Sequence, residues 1–416
     1  MKLRVLLPAV GILTALATAY AVAGGVFTNG LPNATGVLTG NEEFPADTNL
    51  PNGQNPQSEA ITPGQIIGYG RTLQGASGLR NLLIGGDFGT NPWQRGTSFT
   101  GITSTPTYTA DRFAAVGAAG SSISVSRQTG AADITTGFNA SLRLQRAASN
   151  ADVSPICIQQ VIETNDSVRA QGQVMALSFS AFQGANFSAA GATLNWTVAT
   201  GTGTNQSAAL FAAGTWTGYA AKTGTITLAT NPTAWTRYSA TTVALPATAT
   251  QVGMSICYTP VGTAGAADWV EFAGVQLEVS PTGTASAFER TPQSKVLYDA
   301  QRYFQNYAEP PNLSALARGY EQNGQQQCTV TLPFLNTMRV APTVTVSSGT
   351  FQVLTATSPG FGPIQAGTTN FIASAQQVPS TTAVTLVATG PGTTIGLGCG
   401  IAGGGGTGSV QLNSEL

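Results

Sequence analysis

The feature that most limits what this chain can become is a succession of short strand signals between residues 78 and 290. Segments such as SISVSRQ, ASLRLQRA, PICIQQVIE, VMALSFSAF, ATLNWTVAT, GTITLAT, QVGMSICYT and DWVEFAGVQLEV are separated by clusters of Gly, Asn, Thr and Pro. Apolar side chains alternate at Leu142–Leu144, at Met175–Leu177–Phe179 and at Val275–Leu277–Val279. A period of two places alternate side chains on one face of a sheet. Many such strands with turn residues between them predict a β-sandwich of jelly-roll type. Thr and Val favour strands, and the 50 Gly favour the turns.

The segments on either side read differently. Lys2 and Arg4 precede an apolar run from Val5 to Ala23, so residues 1–24 are expected to form a short apolar helix. A retained anchor, in contact with a membrane or buried in a particle, and a cleaved signal with its A-x-A-like end both stay open. Residues 25–77 are dense in Asn, Gly and Pro, show no apolar period, and are expected to be an extended arm that attaches to a partner. The sandwich is expected over 78–292. Val296, Leu297, Ala300, Tyr303 and Phe304 recur at helical spacing, which predicts a linking helix over 293–307. Strand signals return over 308–402 as a second, smaller β domain. The glycine-rich end, 403–416, reads as a flexible tail.

Composition removes several classes of function. The chain has no histidine, so the commonest general base, the commonest metal ligand and every Ser-His-Asp or Cys-His arrangement are absent. Lys plus Arg number 17 against 18 Asp plus Glu, which leaves no basic surplus for nucleic acid. Charged residues make up 8%, so lone surfaces have few soluble groups and an assembled particle is favoured. Glu42 and Glu43 lie in the arm. Asp268 and Glu271 sit three apart in a strand and so point to opposite faces. No enzyme activity, cofactor or metal site is expected.

Two stretches carry a resemblance. The first is NLLIGGDFGTNPWQRGTSF, Asn81 to Phe99, followed by YTADRF, Tyr108 to Phe113. The second is WVEFAGVQLEVSPTGTASAFERTPQSKVLYDAQRYF, Trp269 to Phe304. They resemble tail-fibre and other virion-appendage proteins of tailed bacteriophages, with Phe88, Trp93, Gln94, Arg95, Gly96, Asp111, Arg112, Gln276, Glu278, Phe288, Glu289, Arg290, Arg302 and Tyr303 at motif positions. Phe113 stands where the family usually has Trp, and Ala300 where Cys is frequent. The resemblance implies a jelly roll similar to carbohydrate-binding modules, often trimeric, on the virion surface. For the motif residues we expect a structural role, with Arg95, Arg112, Glu289 and Arg290 pairing with one another or with Asp87 and Asp111.

Sugar contacts need aromatic faces beside amide and carboxylate side chains. Trp216 and Tyr219, in the Gly-rich GTWTGYAAKTG, are the first candidates, with packing or a subunit interface as the alternative. Trp235 and Tyr238 follow, although they also look like a core strand. Cys157 with Cys257 and Cys328 with Cys399 is the plausible intradomain pairing, against four buried thiols. The expected function is an all-β virion subunit that contacts other virion proteins and attaches to a host surface glycan. The alternatives are a head-decoration or collar protein and a secreted bacterial surface protein.

Overall fold

A computed structural model describes residues 44–48, 57–61, 80–135, 137–229, 234–311, 314–322, 327–346, 351–355, 380–389, 398–403 and 406–416. The chain divides into two units, Met1–Leu79 and Arg80–Leu416. In the first, β1 (Phe44–Thr48) pairs antiparallel with β2 (Gln57–Ile61). The stretch read as an extended arm therefore holds one antiparallel pair, and two strands alone bury no core. The helix expected at 1–24 lies outside the described residues.

The second unit opens with a sandwich of twelve strands. They are β3 (Ser98–Ile102), β4 (Thr107–Tyr108), β5 (Ala114–Val116), β6 (Ile123–Gln128), β7 (Ser141–Arg146), β8 (Ile156–Ile162), β9 (Met175–Gln183), β10 (Ala189–Gly201), β11 (Ala220–Thr227), β12 (Thr236–Thr241), β13 (Gln251–Pro260) and β14 (Trp269–Val279). Sheet I has the order β11-β10-β13-β8-β5-β4, and sheet II the order β12-β9-β14-β7-β6-β3. The chain crosses repeatedly from one sheet to the other, as a jelly roll does. The alternating residues explain the core. Leu142, Leu144, Leu177, Phe179, Val270 and Phe272 from sheet II meet Ile156, Ile158, Val198, Met254, Ile256 and Tyr258 from sheet I, nearly all with no exposed surface. Two one-turn helices, α1 (Thr164–Ser167) and α2 (Ala208–Ala212), sit in the connections.

The helix α3 (Gln293–Gln301) links to a smaller module. Its strands are β15 (Phe304–Ala308), β16 (Ala315–Gln322), β17 (Gln327–Pro333), β18 (Thr343–Val346), β19 (Gln352–Thr355), β20 (Ala383–Thr389), β21 (Gly398–Ala402) and β22 (Ser409–Asn413). They form a three-stranded sheet, β15-β22-β18, and a five-stranded sheet, β19-β21-β16-β17-β20. Val330, Leu332, Met338, Phe351, Leu386, Ile401, Val410 and Leu412 fill the core between them.

Two boundaries differ from the sequence reading. The linking helix ends at Gln301 instead of 307, because Phe304 already begins a strand. Tyr303 and Phe304 are both buried. The guanidinium carbons of Arg112 and Arg95 each lie 3.6 Å from the centre of one of these rings. The expected flexible tail is likewise corrected. Residues 409–413 form β22, the central strand of its sheet, with Val410 and Leu412 fully buried. The glycines that precede it masked an ordinary alternating strand.

Cys157 is bonded to Cys257, and Cys328 to Cys399. Strands β17 and β21 flank β16, yet the Cα atoms of Cys328 and Cys399 are only 5.8 Å apart. In a flat sheet such strands stand about 9–10 Å apart, twice the usual interstrand spacing. The sheet therefore curls sharply over β16. Gly319 sits at that curl, where a Cβ would lie 1.8 Å from the Thr329 carbonyl oxygen.

Candidate functional site

The motif residues build two buried polar clusters. In the first, the Glu289 carboxylate accepts from the backbone N–H groups of Arg80 and Asn81, at 2.7 and 2.8 Å. The Glu289 N–H donates to Gln276, whose amide donates to Glu278. Glu278 in turn accepts from the Ser286 N–H and hydroxyl, both at 2.7 Å. This cluster ties the start of the sandwich to its exit. Phe288 packs on Phe138 at 5.3 Å, and the Arg290 guanidinium covers the same Phe138 ring.

The second cluster joins the sandwich to the smaller module. Gln94 donates to Asp111 and to the Phe304 carbonyl, both at 2.9 Å. Arg95 pairs with Asp111 at 3.2 Å and with Glu415 at 3.0 Å. Arg112 pairs with Glu415 and donates to the Val161 carbonyl. Arg302 makes a two-pronged pair with Glu163, at 3.1 Å on each prong. Trp93 donates its indole N–H to the Phe88 carbonyl, and Phe88 meets Phe113 edge-on at 4.9 Å. Phe88, Trp93 and Arg112 hold φ values of 57°, 47° and 70°. Bulky side chains rarely adopt that region, so the surrounding contacts must enforce it. Gly96, at φ 115°, ends the same turn with its N–H on the Trp93 carbonyl. Asp87 is occupied locally, accepting from the Thr90 N–H and hydroxyl. Burial in this cluster pushes the Asp111 carboxyl up to about 6, against the opposing pull of Arg95.

Of the aromatic candidates, Trp216 is 3% exposed and packs with Phe211, Ala199, Val161 and Leu416. Its indole N–H donates to the Ser207 carbonyl, so it is a packing residue and not a glycan contact. Tyr219 is half-buried against the same cluster. Tyr238 turns inward against Phe179, and its hydroxyl accepts from the Ala229 N–H. Trp235 goes the other way, to the outer face of sheet II.

That outer face carries the most suggestive arrangement. Because Ala181 and Phe179 of β9 point inward, Phe182 points outward. The same alternation puts Trp269 and Glu271 of β14, and Arg143 and Gln145 of β7, outward, since Val270, Phe272, Leu142 and Leu144 fill the core. Register aligns them: Phe182 and Arg143 flank Glu271, and Gln145 lies opposite Trp269. The Phe182 ring stacks on Trp235 at 5.7 Å and meets Trp269 at 5.4 Å. The result is a half-buried row, Trp235–Phe182–Trp269, running from the residue before β12 across β9 to β14. Arg143 caps its end, 4.2 Å from the Trp269 ring centre. Gly184 lets the row close on the backbone, since a Cβ there would lie 2.7 Å from the Trp269 ring. The Trp235 indole N–H is buried and meets no acceptor among the described residues. The faces of the rings, and not this buried N–H, are what a ligand can reach.

The sequence reading missed Phe182, Trp269, Arg143 and Gln145 as members of a surface. The alternation in VMALSFSAFQ and VEFAGVQL would have set their face, but only strand order makes them neighbours.

Glu271 lies under Arg143. It accepts from the Arg143 Nε at 2.6 Å and from the Ser141 hydroxyl at 3.1 Å, and it has no exposed surface. Asp133 takes the other side of Arg143 at 3.0 Å. Burial raises the Glu271 carboxyl to about 7, although Arg143 pulls it down. A carboxyl whose folded value is raised holds its proton more tightly when folded, so it lowers stability as pH rises from about 4.5 to about 7. Glu271→Gln is expected to shrink the loss of stability between pH 5 and pH 8, measured by urea unfolding at each pH. An unchanged difference would show that Glu271 does not titrate in that window. Asp268, three residues away, faces elsewhere and accepts from Ser188.

No protein family and no curated protein matches the chain. Among solved structures it is similar to a CBM61 module in complex with β-1,4-galactotriose, at 10% identity over 48% of this chain and 99% of that one, TM-score 0.27. It is similar to the CBM22-2 xylan-binding domain of Paenibacillus barcinonensis Xyn10C, at 14% identity over 48% and 99%, TM-score 0.27. It is also similar to a Stig cyclase from Fischerella sp. TAU, at 12% identity over 47% and 95%, TM-score 0.31. These likenesses concern the fold alone. Carbohydrate-binding modules and a cyclase stand side by side among them, so they choose no ligand. Among the described residues, no helix is long and apolar enough to cross a membrane, and no cluster of His, Cys, Asp or Glu is placed to hold a metal.

Proposed function

We propose that the chain is a non-catalytic structural subunit of a bacteriophage virion appendage that attaches to a host surface glycan. The observation that carries the glycan reading is the half-buried row Trp235–Phe182–Trp269 on the outer face of sheet II. Aromatic rings take the apolar faces of sugars, and polar neighbours such as Gln145 and Arg143 orient them. The virion setting rests on the motifs of Asn81–Phe113 and Trp269–Phe304, whose residues here brace the sandwich and its junction. In that setting a trimer on the particle surface multiplies weak sugar contacts, and linkage of this kind raises avidity by about 10²–10⁴.

The test is binding of the full chain to host cells and to a glycan array, with competition against phage adsorption. Saturable binding that blocks adsorption is expected. Trp235→Ala and Trp269→Ala should each weaken it about tenfold or more, as removal of an anchoring aromatic does, with the unfolding midpoint followed in parallel. A folded chain that binds no cell and no glycan would overturn the attachment reading and favour a head-decoration or collar protein.

A further inference from the structure

The Cys157–Cys257 bond differs from its counterpart in placement. β8 and β13 are inner strands of sheet I, paired from Val252↔Ile162 to Tyr258↔Ile156. Ile156, Ile158, Ile256 and Tyr258 point into the core, so the cysteines between them point outward. Cys157 and Cys257 are directly opposite in register and only partly buried. Inner-strand backbone is covered by its neighbours, so that exposure belongs to the side chains. Their other cross-strand neighbours, Val116 and Asn195, carry no charge to repel an incoming anion. Cys328 and Cys399, by contrast, lie in the core of the smaller module at 0% and 7% exposure.

We propose that Cys157–Cys257 is a thiol-exchange site on the outer face of sheet I, open to small-molecule thiols. A thiolate attacks the Cys157 sulfur and forms a mixed disulfide there, while the Cys157–Cys257 bond breaks. The electron pair stays on the Cys257 sulfur. Ser255 Oγ lies 3.9 Å from that sulfur, and its hydroxyl donates to the departing thiolate. This selects Cys257 as the leaving group and Cys157 as the modified residue. Water then supplies the proton to Cys257, and no external oxidant is consumed. The ladder on both sides holds the two strands together after the bond opens, so exchange leaves the sandwich folded.

The experiment uses the oxidised full chain, reduced glutathione as the probe, and excess iodoacetamide to trap the released thiol, with the adducts located by peptide mass. We expect glutathione on Cys157 and alkylation on Cys257, at least tenfold faster than any opening of Cys328–Cys399, with an unchanged circular dichroism spectrum. Ser255→Ala should erase the preference for Cys157 several-fold while the fold stays intact. Adducts chiefly on Cys257, equal opening of both bonds, or exchange seen only in denaturant would overturn the proposal.

Discussion

Replacing Glu415 by alanine is expected to destabilise the Arg80–Leu416 unit by about 3–5 kcal/mol, the cost of stranding a buried charge. The side chains of Arg112 and Glu415 are 1% and 5% exposed. Burial is the largest influence on Arg112 and works against its charge, but the Glu415 carboxylate, together with Tyr303 and Tyr108, raises the guanidinium pKa on balance. Without that carboxylate, Arg112 keeps the Val161 carbonyl, the Tyr108 hydroxyl and the face of Tyr303, none of them a carboxylate. Arg95 loses one of its two partners but keeps Asp111 and remains partly open to water. Glu415→Gln, which preserves shape and keeps one of the two acceptor oxygens, should cost less. Urea unfolding of both variants is the check, and a loss below about 1 kcal/mol for Glu415→Ala would place the pair among those that contribute little.

Gly86→Ala is expected to prevent normal folding, with a loss of at least about 3 kcal/mol, at or beyond the upper range for overpacked cores. A Cβ at Gly86 would stand 2.0 Å from the Val275 carbonyl oxygen. Neither backbone can retreat. The Val275 N–H donates to the Gly86 carbonyl at 2.9 Å, and the Leu82 N–H to Leu277 at 2.8 Å. Asn81 bridges the same strand from its amide, donating to Val275 and accepting from Leu277. The contrast is Gly96→Ala, where φ is 115° but nothing lies within 4 Å. That change should cost only the dihedral strain, about 1–3 kcal/mol. Soluble yield and thermal unfolding of the two variants separate contact from conformation. Equal losses would refute the clash.

The sandwich was legible because its strands alternate cleanly: MALSFSAF buries every second residue in the core whatever strand lies beside it. The aromatic row was not legible, since Phe182 and Trp269 lie in β9 and β14 and Trp235 just before β12, three segments that only the sheet order brings together. Trp216 misled for a related reason. A Trp among glycines reads as exposed, but its cover comes from Leu416, two hundred residues away in the chain. The motif segments announced that they mattered without revealing what they touch. Arg95 and Arg112 find Glu415, whose neighbourhood in the sequence is a glycine-rich end with no charge pattern to match. Local periodicity thus gave the layers, while long-range partners set the junction and the surface.

The seating of Leu416 also bears on how the protein comes into being. Its side chain fills the pocket of Phe211 and Trp216, and its carbonyl accepts from the Ala208 N–H and the Tyr108 hydroxyl. The Arg95–Glu415 contact spans 320 positions. A ribosome therefore delivers the sandwich strands long before it delivers the residues that seal them. Contacts this distant in sequence slow folding, because a large loop must close before they form. A variant lacking Glu415 and Leu416 would leave the Trp216 pocket open on that side and Arg112 without its carboxylate.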